Sequence, residues 1–151
     1  MTGQRVRKLV ELGPAGWAEL LRAQGALIAA QLRVWTRPRG RLIACGTPPS
    51  PEPGACDHDG ERVAERLALA VERAARYGVF RPLCLVRALA LQRMLEARGI
   101  RSSRVRIGVR LRDGRFAAHA WVEYGGRVLG DTSEHVGMFS ELADAQMAGS
   151  R

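Results

Sequence analysis

The sequence predicts an α+β fold in which helices come first and an antiparallel sheet follows. A change of pattern at Gly99 carries this prediction. Between Arg81 and Gly99 apolar residues recur at 85, 88, 89, 91, 94 and 95, the period of a helix with a broad buried face. After Gly99 the period falls to two: Val105, Ile107, Val109 and Leu111 alternate with Arg104, Arg106, Gly108 and Arg110, as in a strand with one buried face. Asp113-Gly114 and Gly125-Gly126 then mark hairpin turns.

The chain has 151 residues, 46% of them hydrophobic and 26% charged, which suits one globular domain with a real core. Its net charge of +9 points to an anionic partner. Yet Lys8 is the only lysine, the arginines are scattered, and no basic run is interleaved with aromatics, so nucleic acid is not the expected ligand. An arginine-for-lysine bias is more simply a matter of gene base composition, and an acidic peptide remains open as a partner. The three cysteines are odd in number and without paired spacing, which argues against a disulfide scaffold and for a reducing compartment. With no signal-peptide core and no membrane span, the cytoplasm is the expected location.

Residues 5 to 36 read as helix, broken near Gly13-Pro14. From Ala15 to Trp35 the helix carries Trp17, Leu20, Leu21, Ile28, Leu32 and Trp35, with Gly25 as a weak point. Trp17 and Trp35 are eighteen positions apart, five helical turns, so they share a face with Leu21, Ile28 and Leu32 if the helix is continuous. That stripe is either core or a docking surface, and partial exposure is expected. A turn at Arg37–Gly40 leads to a short apolar run, Leu42–Cys45. Gly46 to Gly60 holds Pro48, Pro49, Pro51 and Pro53 and reads as an extended loop. Cys56 and His58 in it are too few for a metal site. Glu61 to Tyr77 is an amphipathic helix with Asp59 as its expected N-cap.

In the next helix Pro82 falls in the first turn and Gly99 is placed to end it in the left-handed conformation. Cys84 then also lies in the first turn, where unpaired backbone N–H groups and the positive end of the dipole favour a thiolate. A cysteine in an apolar helix is commonly just core. The strands that follow raise the other reading. His119 and Trp121 share one face of the strand from Arg115 to Tyr124, with Phe116, Ala118, Ala120 and Val122 on the other. Asp131 ends the next strand.

A histidine takes a proton from a thiol most effectively when a third group fixes its orientation. Whether Asp131 is that group depends on register. A two-residue Gly125-Gly126 loop sets Ala120 opposite Asp131 and turns His119 away. A three-residue loop, Tyr124-Gly125-Gly126, sets Glu123 opposite Arg127 and His119 opposite Asp131, so charges and chemistry agree and this register is expected. His135 is a competing base in what reads as an exposed loop, and a metal held by Cys84, His119 and Asp131 is a competing arrangement.

A helix-borne Cys followed by His and Asp on successive strands is the order of papain-like and transglutaminase-like folds. Cys84-Leu85-Val86-Arg87-Ala88-Leu89-Ala90-Leu91, Arg98-Gly99-Ile100, Arg106-Ile107-Gly108-Val109 and Ala118-His119-Ala120-Trp121-Val122-Glu123 resemble the leader peptidases of lasso-peptide biosynthesis, over about residues 61 to 131. These are stand-alone proteases of the split B type. The resemblance implies N-terminal helices before a transglutaminase-like core, in which the Cys-bearing helix packs on an antiparallel sheet. The divisions expected are a helical segment at 1–45, the Pro-rich loop at 46–60, the catalytic core at 61–143 and a frayed tail at 144–151.

The resemblance further implies Cys84 as nucleophile, His119 as base and Asp131 as orienter, with no cofactor and no metal. It implies a ribosomally made precursor whose leader region is the substrate, a separate RiPP recognition element protein that binds the leader, and a macrolactam synthetase acting next. A transglutaminase-like acyltransferase or amidase, and a non-catalytic peptide-binding scaffold, are the alternatives.

Overall fold

The computed structural model describes residues 13–36, 58–112 and 114–141. The helix expected before Gly13, the run Leu42–Cys45, the prolines of the loop and the tail from Asp144 lie outside them. Three helices come first: α1 (Pro14–Thr36), α2 (His58–Tyr77) and α3 (Cys84–Glu96). The strands β1 (Arg104–Arg112), β2 (Arg115–Tyr124) and β3 (Arg127–Leu129) follow, then a short helix α4 (Ser133–Val136) and strand β4 (Ser140–Glu141). The sheet is antiparallel in the order β3-β2-β1-β4. The α+β class and the helix-on-sheet arrangement are as the sequence predicts; β4 and α4 are additions to it.

Pro14 starts α1 where its fixed φ suits a first turn, and the helix runs unbroken through Gly25. Its inner face presents Ala23, Leu27 and Ala30, all essentially without solvent contact. Two of these are small, which lets α1 lie close against α2 and α3. Glu19 ties the three together, with Arg66 of α2 at 3.0 Å and Arg98 just beyond α3 at 3.7 Å. The outer face carries Trp17, Leu21, Ile28, Leu32 and Trp35, all exposed, Trp35 by 74%.

α2 begins three residues before the expected start. Asp59 therefore lies inside the first turn, ion-paired to Arg62 at 2.5 Å, instead of capping it. α3 begins at Cys84 with Leu83 as N-cap, so Pro82 precedes the helix and does not belong to its first turn. Gly99 takes φ +82°, and the Ile100 N–H returns to the Leu95 carbonyl at 3.0 Å, closing the end as predicted.

The core joins Leu67 and Val71 of α2 and Val86, Leu91 and Leu95 of α3 to Ala120, Val122 and Leu129 of the sheet. Each fully buried leucine or valine contributes about 1.5–3 kcal/mol of transfer free energy. Val105 and Ile107 pack on the same cluster from β1, confirming which face of that strand turns inward. The opposite face is covered as well. Residues beyond β3 fold back across it and set Phe139 beside Trp121, which is 2% exposed.

Gly108 marks the closest point of that cover. A β-carbon there would stand 2.8 Å from Phe139 Cβ and 2.9 Å from two atoms of the Trp121 ring. Replacing a strand glycine by alanine ordinarily stabilises by about 0.5–1 kcal/mol. Overpacking against a rigid indole and a β-carbon costs about 1–3 kcal/mol, so the clash wins. Gly108→Ala is expected to lower the urea midpoint accordingly; an unchanged or raised midpoint would mean that Trp121 and Phe139 do not press on β1.

Candidate active site

Cys84 is the first residue of α3 and is half-buried. Leu83 holds the N-cap in extended backbone and offers no side-chain cap, so nothing on that side chain competes for the N–H groups of the first turn. On the sheet, β2 pairs with β1 so that His119 lies opposite Gly108 and Trp121 opposite Arg106. These residues are on the face away from the helical core.

The register between β2 and β3 differs from the expected one. Tyr124 pairs with Arg127 and Val122 with Leu129, so the connection is a two-residue Gly125-Gly126 turn. Both glycines have positive φ, 60° and 76°, which is what a tight type I′ hairpin requires. Glu123 accordingly does not face Arg127. It accepts from Arg106 Nε at 3.0 Å and from Trp121 Nε1 at 3.1 Å on the outer face. Arg127 points the other way, to Glu61 at 3.5 Å and Glu65 at 3.2 Å on α2.

His119 and Asp131 nevertheless meet. β3 stops at Leu129, and Gly130 at φ +74° swings the chain out of the strand. The Asp131 carboxylate thereby comes round the sheet edge to the His119 face, with Nε2···Oδ2 at 2.5 Å. An ionised carboxylate only accepts, so Nε2–H is the donor to it, and in a neutral ring the lone pair then lies on Nδ1. The other oxygen, Oδ1, accepts from the Thr132 backbone N–H at 2.7 Å, which fixes the carboxylate's rotation.

Cys84, His119 and Asp131 line one small cavity of about 30 Å³, together with Arg87, Leu91 and Trp121. Beside it lies a wider groove of about 780 Å³, between Glu65, Leu69 and Glu72 of α2 and the bend at Leu129–Thr132. His119 is boxed by rings: Trp121 near-parallel at 6.0 Å, Phe139 at 5.2 Å and His135 edge-on at 5.0 Å between centroids.

His135 was expected in an exposed loop but sits in α4 and is partly buried. The Thr132 hydroxyl caps that helix by accepting from the His135 N–H at 3.2 Å. Thr132 ahead of Ser133-Glu134 is an N-cap signal in the sequence, and it would have placed this turn. Among the described residues the donors that converge closely enough for a metal are His119, Asp131 and His135, whose ligand atoms all lie within 4.8 Å of one another. The combination with Cys84 does not meet that distance.

The family model described as the transglutaminase-like superfamily matches residues 26–144. No curated protein and no solved structure was found to match the chain.

Gly130 is the joint on which the His119–Asp131 contact turns. An alanine there has room, since the nearest atom to its Cβ would be Leu91 Cδ2 at 3.8 Å, so only the left-handed backbone opposes it. That strain costs about 1–2 kcal/mol. Gly130→Ala is expected to lose this much stability and to weaken the downfield imidazole N–H resonance of His119. Retention of both would place the origin of the contact elsewhere.

Proposed function

The chain belongs to the transglutaminase-like superfamily, and from that premise we propose that it is a cysteine peptidase that removes the leader from a ribosomally made lasso-peptide precursor. The observation that carries the reading is the cavity shared by Cys84, His119 and Asp131, with the histidine already bonded to the carboxylate at 2.5 Å. Further support comes from the paired motifs around Cys84 and His119, and from a groove of about 780 Å³ beside the cavity that suits an extended segment of peptide. The peptidase acts in the cytoplasm, where its precursor is made.

In the proposed reaction, His119 Nδ1 takes the proton of the Cys84 thiol while Asp131 holds Nε2–H and so selects the tautomer. The thiolate attacks the scissile carbonyl at the end of the leader. The oxyanion is held by the Cys84 backbone N–H and a further donor. His119 returns the proton to the leaving amine, which is the new N-terminus of the core peptide. Water then attacks the thioester, giving a proton to His119. The tetrahedral intermediate collapses with cleavage of the C–S bond, the leader leaves with its new C-terminal carboxyl group, and His119 returns its proton to the Cys84 thiolate. Transfer of the same acyl group to an amine is the acyltransferase reading, and mass detection of the products separates the two.

Cys84→Ala is expected to abolish leader removal with the fold intact, while Cys45→Ala and Cys56→Ala retain it. His119→Ala should be as damaging as Cys84→Ala, because the groups act as a unit. Asp131→Asn should reduce the rate by roughly 10²–10⁴-fold and leave a residue of activity, since the dyad survives with a poorly oriented base. Activity in Cys84→Ala, or wild-type rates in Asp131→Asn, would overturn these roles.

The separate leader-binding protein docks, in this reading, on the exposed stripe of α1. Five large apolar side chains lie along one 23-residue helix there, Leu21 with 68% and Trp35 with 74% of its surface in solvent. Trp17→Ala and Trp35→Ala are expected to weaken binding of the partner–leader complex by roughly tenfold each, as interfacial tryptophans do. Unchanged binding and cleavage in both folded variants would sink the docking assignment.

A further inference from the structure

We infer that His119, Asp131 and His135 form a binding site for a first-row divalent ion, Zn²⁺ fitting best, whose occupancy switches the peptidase off. Two imidazoles and one carboxylate are a set that such ions take, with positions left for water. Their ligand atoms already lie within 4.8 Å of one another, whereas tetrahedral bonds of about 2.0–2.1 Å bring ligand atoms to roughly 3.3 Å apart. The required contraction is within the reach of side-chain rotation.

The support around these groups is the kind that holds metal ligands in place. Thr132 N–H fixes Asp131 Oδ1 at 2.7 Å and leaves Oδ2 for the ion. The Thr132 hydroxyl anchors the backbone of His135 at 3.2 Å. Phe139 packs on both rings, at 5.2 Å from His119 and 5.5 Å from His135, and Arg110 lies over the same phenyl group at 4.8 Å. His135 has no part in the proposed proton transfers, so its convergence on the other two is not explained by peptide cleavage.

An ion here occupies Asp131 Oδ2 and takes His119 as a ligand. The hydrogen bond that sets the tautomer is then broken and the base is held by the metal. This inhibitory consequence rests on the peptidase reading; the binding of the ion does not.

The test begins without substrate. A cysteine-free chain (Cys45→Ala, Cys56→Ala, Cys84→Ala) is titrated with Zn²⁺ by calorimetry, so that no thiolate contributes. One ion per chain is expected, with affinity lowered at least tenfold by His135→Gln and by Asp131→Asn in the same background. No stoichiometric binding, or equal affinity in His135→Gln, would overturn the site. With the cysteines present, the Zn²⁺ concentration that halves leader cleavage should rise at least tenfold in His135→Gln, each chain compared with its own metal-free rate. Equal sensitivity would mean that zinc acts through Cys84, and it would refute the switch. A chain that binds zinc as described but cleaves no leader would support the site and refute the peptidase reading.

Discussion

The arrangement around His119 depends on where β3 stops. Had the strand continued, its register would have set Asp131 opposite Ala120, directed into the helical face and away from the histidine. Ending the ladder at Leu129 uncovers the edge of β2 beside His119. It also frees the next residues to bend around that edge. One left-handed glycine accomplishes the turn, and the chain then uses the Asp131 carboxylate twice, once on its own backbone at Thr132 and once on His119. The cavity, the contact between the histidine and the carboxylate, and the position of α4 all follow from this termination.

Much of this was legible in the residues. The helical period from Arg81 to Gly99, the alternation from Arg104 onward and the glycine turns placed α3, β1 and β2 correctly, because each is long enough for burial to impose a period. The face shared by His119 and Trp121 followed from the same alternation. The β2–β3 register did not. Pairing Glu123 with Arg127 looked favourable in isolation, but a surface charge pair contributes less than 1 kcal/mol and does not set register. The two glycines and the burial of Leu129 set it, and each member of the expected pair found another partner: Arg127 the glutamates of α2, and Glu123 the guanidinium of Arg106.

The segment after Asp131 was the least legible. α4 has four residues and β4 two, too short to show any period. What holds them is tertiary: Phe139 seated against Trp121 and over Gly108, and a threonine cap at Thr132. Gly108 is the trace they leave upstream, a missing side chain in an arginine-rich row where the indole comes close to the strand. Trp121, with its N–H satisfied by Glu123, then does two things at once. It packs with Phe139 against Gly108, and it is one wall of the cavity beside His119.

The three groups in the cavity are therefore held with unequal firmness. Cys84 starts a helix whose Val86, Leu91 and Leu95 are locked into the core, and His119 lies on a strand paired on one side from Arg115 to Glu123. Displacing either means disturbing the fold. Asp131 stands on a bend secured by a glycine conformation, one backbone hydrogen bond and the packing of Phe139. Each of these is worth on the order of 1 kcal/mol, a small part of the stability of a domain. Substitutions between Gly130 and Phe139 can thus move the carboxylate while the cysteine and histidine stay in place. Variation in this short segment would alter how the base is oriented, and how readily an ion competes for it, without changing the scaffold that carries the nucleophile.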